Sequence, residues 1–249
     1  MKFCSIRKHW SKKILCLFIS LFVVFIFLFV YSDKVRYSFY DKGVISPITI
    51  DDKLNYAEKL YEKQEFTKAF DLYKSVSEDN TTSDFNRGWA CFRLGILYCQ
   101  GDAYLKSPAK AFIYFNKSVN EFHIDEGYLG LGYYFAIEGD DVKAFHYLKT
   151  AASKGVTSAY ALLADWYREG IGVQQNYNEA INWYKKAADS DEPSDAFYWL
   201  GFLYENGLGV EKNIKRAVHW YNKGIEKGDK ECEKAFVKLL PSLKLKDMR

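Results

Sequence analysis

One pattern returns along the chain and leaves little freedom for the fold. Ala90-Cys-Phe-Arg-Leu-Gly-Ile-Leu-Tyr98 is followed by Gly101, Lys110-Ala111 and Tyr114. Ala159-Tyr-Ala-Leu-Leu-Ala-Asp-Trp-Tyr167 is followed by Gly170-Ile-Gly-Val173, Glu179-Ala180 and Trp183-Tyr-Lys-Lys-Ala-Ala188. Ala196-Phe-Tyr-Trp-Leu-Gly-Phe-Leu-Tyr204 is followed by Gly207-Leu-Gly-Val210, Arg216-Ala217 and Trp220-Tyr221. Self-similarity of this kind means a stack of supersecondary units, none of which buries its apolar face alone.

Two more units are variants. Gly127-Tyr-Leu-Gly-Leu-Gly-Tyr-Tyr-Phe135 leads to Gly139, Lys143-Ala144 and Ala151-Ala152, and Asn55-Tyr-Ala-Glu-Lys-Leu-Tyr61 leads to Lys68-Ala69 and Tyr73. Each unit reads as two helices, A and B. The small residue of helix A precedes the alanine of helix B by 12 positions in Ala57–Ala69 and Gly132–Ala144. The separation is 16 in Gly95–Ala111, Ala164–Ala180 and Gly201–Ala217. Units one and three are therefore short, and two, four and five are long.

Each column has a physical role. Gly95, Gly132, Ala164 and Gly201 let helix B approach helix A closely, and Leu94, Leu131, Leu163 and Leu200 fill the space between at helical period. Gly170, Gly172, Gly207 and Gly209 permit positive φ in the turn between helices, with Val173 and Val210 folding the turn back onto the core. Residues 229–240 read as a capping helix striped with Ala235, Phe236, Leu239 and Leu240 and ended by Pro241.

The pattern A-x-x-x-L-G-x-x-Y-x-x-G-x-G-V, then K-A and W-Y-x-K-A-A, resembles the Sel-one-like repeat, a close relative of the tetratricopeptide repeat. The resemblance covers about 52–228; unit two lacks the second glycine and the valine. It implies an all-α fold: a right-handed α-solenoid of about five helix-turn-helix repeats at 51–240, with the capping helix. It further implies a protein partner on the concave face, lined by helix A. The positions flanking the Leu-Gly pair are Phe92, Ile96, Leu129, Tyr133, Asp165, Arg168, Tyr198, Phe202 and Glu205, with Leu54 and Glu58 from unit one. Aromatic anchors dominate interface energetics, and apolar patches mark contact sites. In a tightly wound array the same side chains can instead pack against one another.

Ahead of the repeats, residues 14–31 carry no charge in eighteen positions, enough as a helix to cross about 27 Å of hydrocarbon. Lys2, Arg7, Lys8, Lys12 and Lys13 precede this stretch. The positive excess predicts a cytoplasmic tail at 1–13, one transmembrane helix, a tether at 32–50, an exterior or periplasmic repeat domain, and a basic tail at 241–249. A cleaved signal peptide, leaving a soluble periplasmic domain, is the alternative. Residues 1–36 hold seven Lys/Arg against Asp33, so this segment carries +6 of a chain whose total is +3, and the rest is left at −3. A slightly acidic array lacks the basic footprint of a nucleic-acid binder.

The residues suggest no catalysis, cofactor or metal. Cys91, Cys99 and Cys232 have no zinc-like spacing. Cys91 and Cys99 would stand about 12 Å apart along one helix, too far for a disulfide; they read as small buried apolar residues. His146 and His219 share a helix-B column with Ile113 and Asn182, which have no common chemistry with them. His123 reads as a solvated turn residue, and Asp165, Arg168 and Glu169 as either a charged contact or an ordinary surface ion-pair cluster. The expected function is thus a membrane-anchored interaction scaffold, with an immunity protein against a secreted toxin or phospholipase effector as the alternative the family allows.

Overall fold

A computed structural model describes residues 49–101, 106–190 and 195–244. The expected cytoplasmic tail, the expected transmembrane helix at 14–31 and all but the last residues of the tether lie outside the described residues. Among the described residues no helix is long and apolar enough to cross a membrane.

The described residues form eleven helices and no strand: α1 Ile50–Glu62, α2 Phe66–Glu78, α3 Asp84–Gln100, α4 Pro108–Asn120, α5 Glu126–Ile137, α6 Asp141–Ser153, α7 Ser158–Glu169, α8 Tyr177–Ala188, α9 Ala196–Asn206, α10 Ile214–Glu226 and α11 Lys230–Lys244. Odd-numbered helices up to α9 are helix A and even-numbered ones helix B. Three residues join the two helices of units one and three; seven join those of units two, four and five. The short and long spacings in the sequence are these two connections.

Local chemistry sets the boundaries. Thr49, Ser83, Asp140, Asn176 and Asn213 cap their helices by accepting from the backbone N–H three residues on. Gly101, Gly170 and Gly207 end α3, α7 and α9 in the left-handed region, where a side chain would be strained. In each long unit the residue before helix B then donates its N–H to the carbonyl of the helix-A tyrosine: Ser107 to Tyr98, Asn176 to Tyr167 and Asn213 to Tyr204. The turn is thereby tied to the end of helix A. α11 runs through Pro241 to Lys244 rather than stopping at Leu240. A proline costs a helix the bond to the carbonyl four residues back, here that of the exposed Val237, where water can take its place.

Each helix packs on its sequence neighbours, and the next closest approaches are α1–α3, α3–α5 and α9–α11. These are helices A, or the cap, of successive units, so the helix-A side is the inside of the curve. Leu94, Leu163 and Leu200 are fully buried in the cores between helices. A Cβ on Gly201 would stand 2.3 Å from the Tyr221 ring, and one on Gly95 2.5 Å from that of Phe115. The glycine column is thus a seat for a helix-B ring.

The second glycine of each turn has a role beyond backbone freedom. A Cβ on Gly172 would come within 2.1 Å of the Asp141 carbonyl oxygen, and one on Gly209 within 2.5 Å of Tyr177 Cβ. Both contacts are with the start of helix B in the preceding unit. The long turn is therefore a clasp between units as well as a link within one.

Candidate interaction face

The inside face takes its chemistry from one helix-B column, four residues after the alanine. It contains Tyr73, Phe115, Leu148, Tyr184 and Tyr221, all buried. In unit four the Tyr184 hydroxyl donates to Asp165 and accepts from Arg168 Nε at 2.9 Å. Arg168 also donates to Asp165 Oδ1 at 2.8 Å and to Glu169, and its guanidinium lies 3.5 Å from the Trp199 ring centroid in the next unit. In unit five the Tyr221 hydroxyl donates to Glu205 Oε2 at 2.8 Å. Burial first, and then the adjacent carboxylate, push both hydroxyls well above the ordinary value of 10.0. Burial lowers the basicity of Arg168, but its bonds to Asp165 and Tyr184 outweigh that and raise it.

Unit one has the same elements wired differently. Glu58 accepts from Trp89 Nε1 and Arg93 Nε, each at 2.9 Å, and from a second Arg93 nitrogen. Its oxygens are occupied by unit two. The buried Tyr73 hydroxyl makes no hydrogen bond of good geometry, and burial together with the Glu58 charge raises its ionisation strongly.

Units two and three carry Phe115 and Leu148 in the column, and no hydroxyl needs an acceptor there. The inside face is correspondingly apolar. Ile96 and Cys99 of α3 face Tyr133, Ala136 and Ile137 of α5 across an open groove of about 580 Å³, which Gln100 and Lys106 also line. Tyr133 is 39% and Ile137 49% exposed. Burial pushes the Cys99 thiol up to about 11, so it is a neutral wall residue rather than a nucleophile. A second hollow of about 280 Å³ lies where Tyr198, Phe202 and Glu205 of α9 meet Tyr221 and the Glu231, Lys234 and Lys238 side of α11.

The nine inside-face residues expected from the sequence in units two to five divide accordingly. Ile96 and Tyr133 line the groove; Tyr198, Phe202 and Glu205 line the second hollow. Asp165 and Arg168 pair with each other and with Tyr184 inside unit four, and Arg168 lies over the Trp199 ring of unit five. Phe92 and Leu129 are corrected: they are only 7% and 4% exposed. Phe92 packs on Trp89 and Phe115, and Leu129 belongs to the core around Leu148 and Leu163. Cys99, Ala136, Ile137 and Trp199 were missed. The first two stand four residues after the small residue, in register with Arg168 and Glu205, so the repeat alignment held the signal.

The cysteine and histidine readings agree with the observed burial. Cys91, Cys99 and Cys232 are buried and free, and His123, His146 and His219 are exposed. Among the described residues no group of three His, Cys, Asp or Glu side chains could hold a metal ion.

A stack of paired helices with small-residue seats and a lined inner face defines an α-solenoid scaffold. The Sel1 repeat family model matches residues 90–121, 126–156, 157–192 and 194–229. The chain belongs to the Sel1 repeat family, and its matched units are two to five. A Sel1 repeat protein from Oxalobacter formigenes is similar at 25% identity with a TM-score of 0.62, over 75% of this chain and 74% of that one. The protective antigen c5321 of uropathogenic Escherichia coli, which has the same repeat fold, is 23% identical with a TM-score of 0.62 over 84% of this chain. This chain spans 44% of that antigen's length. Sel1 repeat proteins are in general scaffolds for protein–protein interaction, and the family is a non-catalytic one.

Proposed function

We propose that this chain is a membrane-tethered scaffold that holds a protein partner on the inside of its curve, with the α3–α5 groove as the anchor point. The groove carries the proposal. It sets the exposed Tyr133 and Ile137 beside Ile96 on the concave side, and exposed large apolar side chains gathered in a hollow mark contact surfaces. The Tyr198–Phe202–Glu205 hollow extends the same face toward the C-terminus. An aliphatic or aromatic side chain of the partner fills the groove.

The tether rests on the uncharged run at 14–31 and the lysines and arginines before it. That arrangement leaves the N-terminus in the cytoplasm and the repeats outside. The immunity reading has no observation in the structure that favours it over a scaffold.

Affinity capture with the full chain in detergent, followed by mass spectrometry, identifies the partner. A Tyr133→Asp, Ile137→Asp pair should then abolish its retention without changing helical content. Undiminished capture would remove the groove from the interface. Capture lost instead with Tyr198→Ala, Phe202→Ala would move the anchor to the second hollow. Thiol labelling of single cysteines placed at exposed positions on intact cells tests the orientation; labelling only after lysis would reverse it.

A further inference from the structure

The two signs of charge are segregated along the array. Residues 212–249 hold eleven Lys/Arg against five Asp/Glu, a net of +6. Residues 37–249 together carry −3, so residues 37–211 are left at −9. The basic share belongs to α10, α11 and the residues after them. The C-terminal end of the stack is positive, and the units before it are negative.

α11 turns this charge outward. Its inner side holds the buried Cys232 and Leu239, with Ala235, Phe236 and Leu240 half-buried beside them. Lys230, Glu233, Lys234, Val237, Lys238 and Pro241 recur at the spacing of one helix face, and all are exposed. Among the described residues no further unit follows to cover that face. Lys227 is exposed in the turn just ahead of it, and Lys244, Lys246 and Arg249 continue the basic run in the sequence. The acids nearby offset little of it. Asp229 is turned to the first turn of α11, where it accepts from the Glu231 and Cys232 N–H groups. Glu231 pairs with Lys234 at 2.6 Å, but both side chains are well exposed, and such surface pairs are weakly held. Glu233 is the one acid on the outer face.

We infer that the outer face of α11 rests on an anionic lipid surface, so that the array is held to a membrane at both ends. The inference rests on the tethered reading of residues 14–31. That segment keeps the repeats beside a bilayer, and residues 32–48 can span up to about 60 Å, which lets the array lie down on it. Tethering makes the second contact intramolecular, so weak attraction suffices. The residue types select lipid over an acidic protein. Protein interfaces are depleted in lysine and anchored by aromatic residues and arginine, whereas this face carries three lysines and no aromatic side chain. Lysine is a strongly hydrated point charge that suits a diffuse field of headgroups, and each one near an anionic leaflet adds to the attraction. The exposed Val237 sits among the lysines, where it can enter the headgroup layer.

The full chain is tested in nanodiscs of phosphatidylcholine alone and of phosphatidylcholine with one-third phosphatidylglycerol. A fluorophore is attached through Val237→Cys, with Cys4 and Cys16 replaced by serine; Cys91, Cys99 and Cys232 are buried. Energy transfer to a headgroup acceptor should be several-fold greater in the anionic discs and fall to the neutral level in high salt. The Lys230→Gln, Lys234→Gln, Lys238→Gln variant should give the neutral level in both discs with an unchanged melting temperature. Equal transfer in the two discs, or transfer that the triple variant leaves intact, would overturn the inference. A chain that co-purifies with neither disc would instead sink the tether. Sedimentation of that chain with vesicles of the same two compositions then decides: binding to the anionic vesicles alone sustains the lipid contact, and binding to neither refutes it. A basic face that captures an acidic protein while ignoring both lipids would likewise refute it.

Discussion

Units four and five carry a tyrosine in the helix-B column where units two and three carry Phe115 and Leu148, and the inner face changes character with it. Tyr184 and Tyr221 place hydroxyls under helix A, and Asp165 and Glu205 stand there to accept from them. Phe115 and Leu148 place only carbon, and the facing residues are Ile96, Cys99, Tyr133 and Ala136. A buried hydroxyl without a partner is costly, so the helix-B residue constrains what helix A presents. The polarity of the binding face is thus decided from beneath it. Unit one shows the limit of this rule, since Arg93 and Trp89 take Glu58 away from Tyr73.

The comparison breaks most visibly at Phe115, whose ring is enclosed between Gly95 and Gly130. Phe115→Ala should cost about 3–5 kcal/mol, measured by urea denaturation; a loss below about 1 kcal/mol would mean that the apolar units are not held by this ring. Asp165→Ala comes next, at about 2 kcal/mol, because Tyr184 and Arg168 lose a shared acceptor in a partly buried site. The difference between the regions should also be transferable. Phe115→Tyr alone leaves a hydroxyl without an acceptor, and adding Ile96→Asp, which mimics Asp165, should recover about 1 kcal/mol in a double-mutant cycle. An additive cycle would show that the tyrosine–carboxylate pairing is coincidental.

The smallest expected effect is at alkaline pH. Tyr73, Tyr184 and Tyr221 all ionise well above 10.0 when folded. Their protonated forms therefore favour the native state. That contribution is fully present below pH 10 and is lost as the pH rises toward the folded values, because the unfolded chain releases these protons first. Melting temperature should fall above pH 10, and Tyr184→Phe should make the fall shallower. Phenolate absorbance should lag behind that of unfolded chain until the domain melts. Tyrosines that titrate freely in the folded protein would contradict the networks described for them.

Much of this was legible beforehand. The 12- and 16-residue separations translated directly into three- and seven-residue connections, because both count the same backbone between two packed small residues. Leu94, Leu163 and Leu200, and the glycine seats, were identifiable because helical period and residue size are local properties. The inner face was legible only in part. Phe92 and Leu129 were expected to face a partner and are core, although Tyr198 at the same register lines the second hollow, so burial there is set by the neighbouring side chains and not by position in the repeat. Ile137 and Trp199 were overlooked because neither belongs to a repeated column.

By itself the sequence determined the unit count, the two unit lengths, the helix ends within the repeats and the small-residue seats. These depend on spacing, size and backbone freedom within some thirty residues. Tertiary structure alone decided which charged residues pair across units, as Arg168 does with Trp199, and that Gly172 and Gly209 serve the unit before their own. The reason is that each of these is a contact between neighbours in the stack, and the repeat pattern describes a unit without stating what its neighbour leaves open.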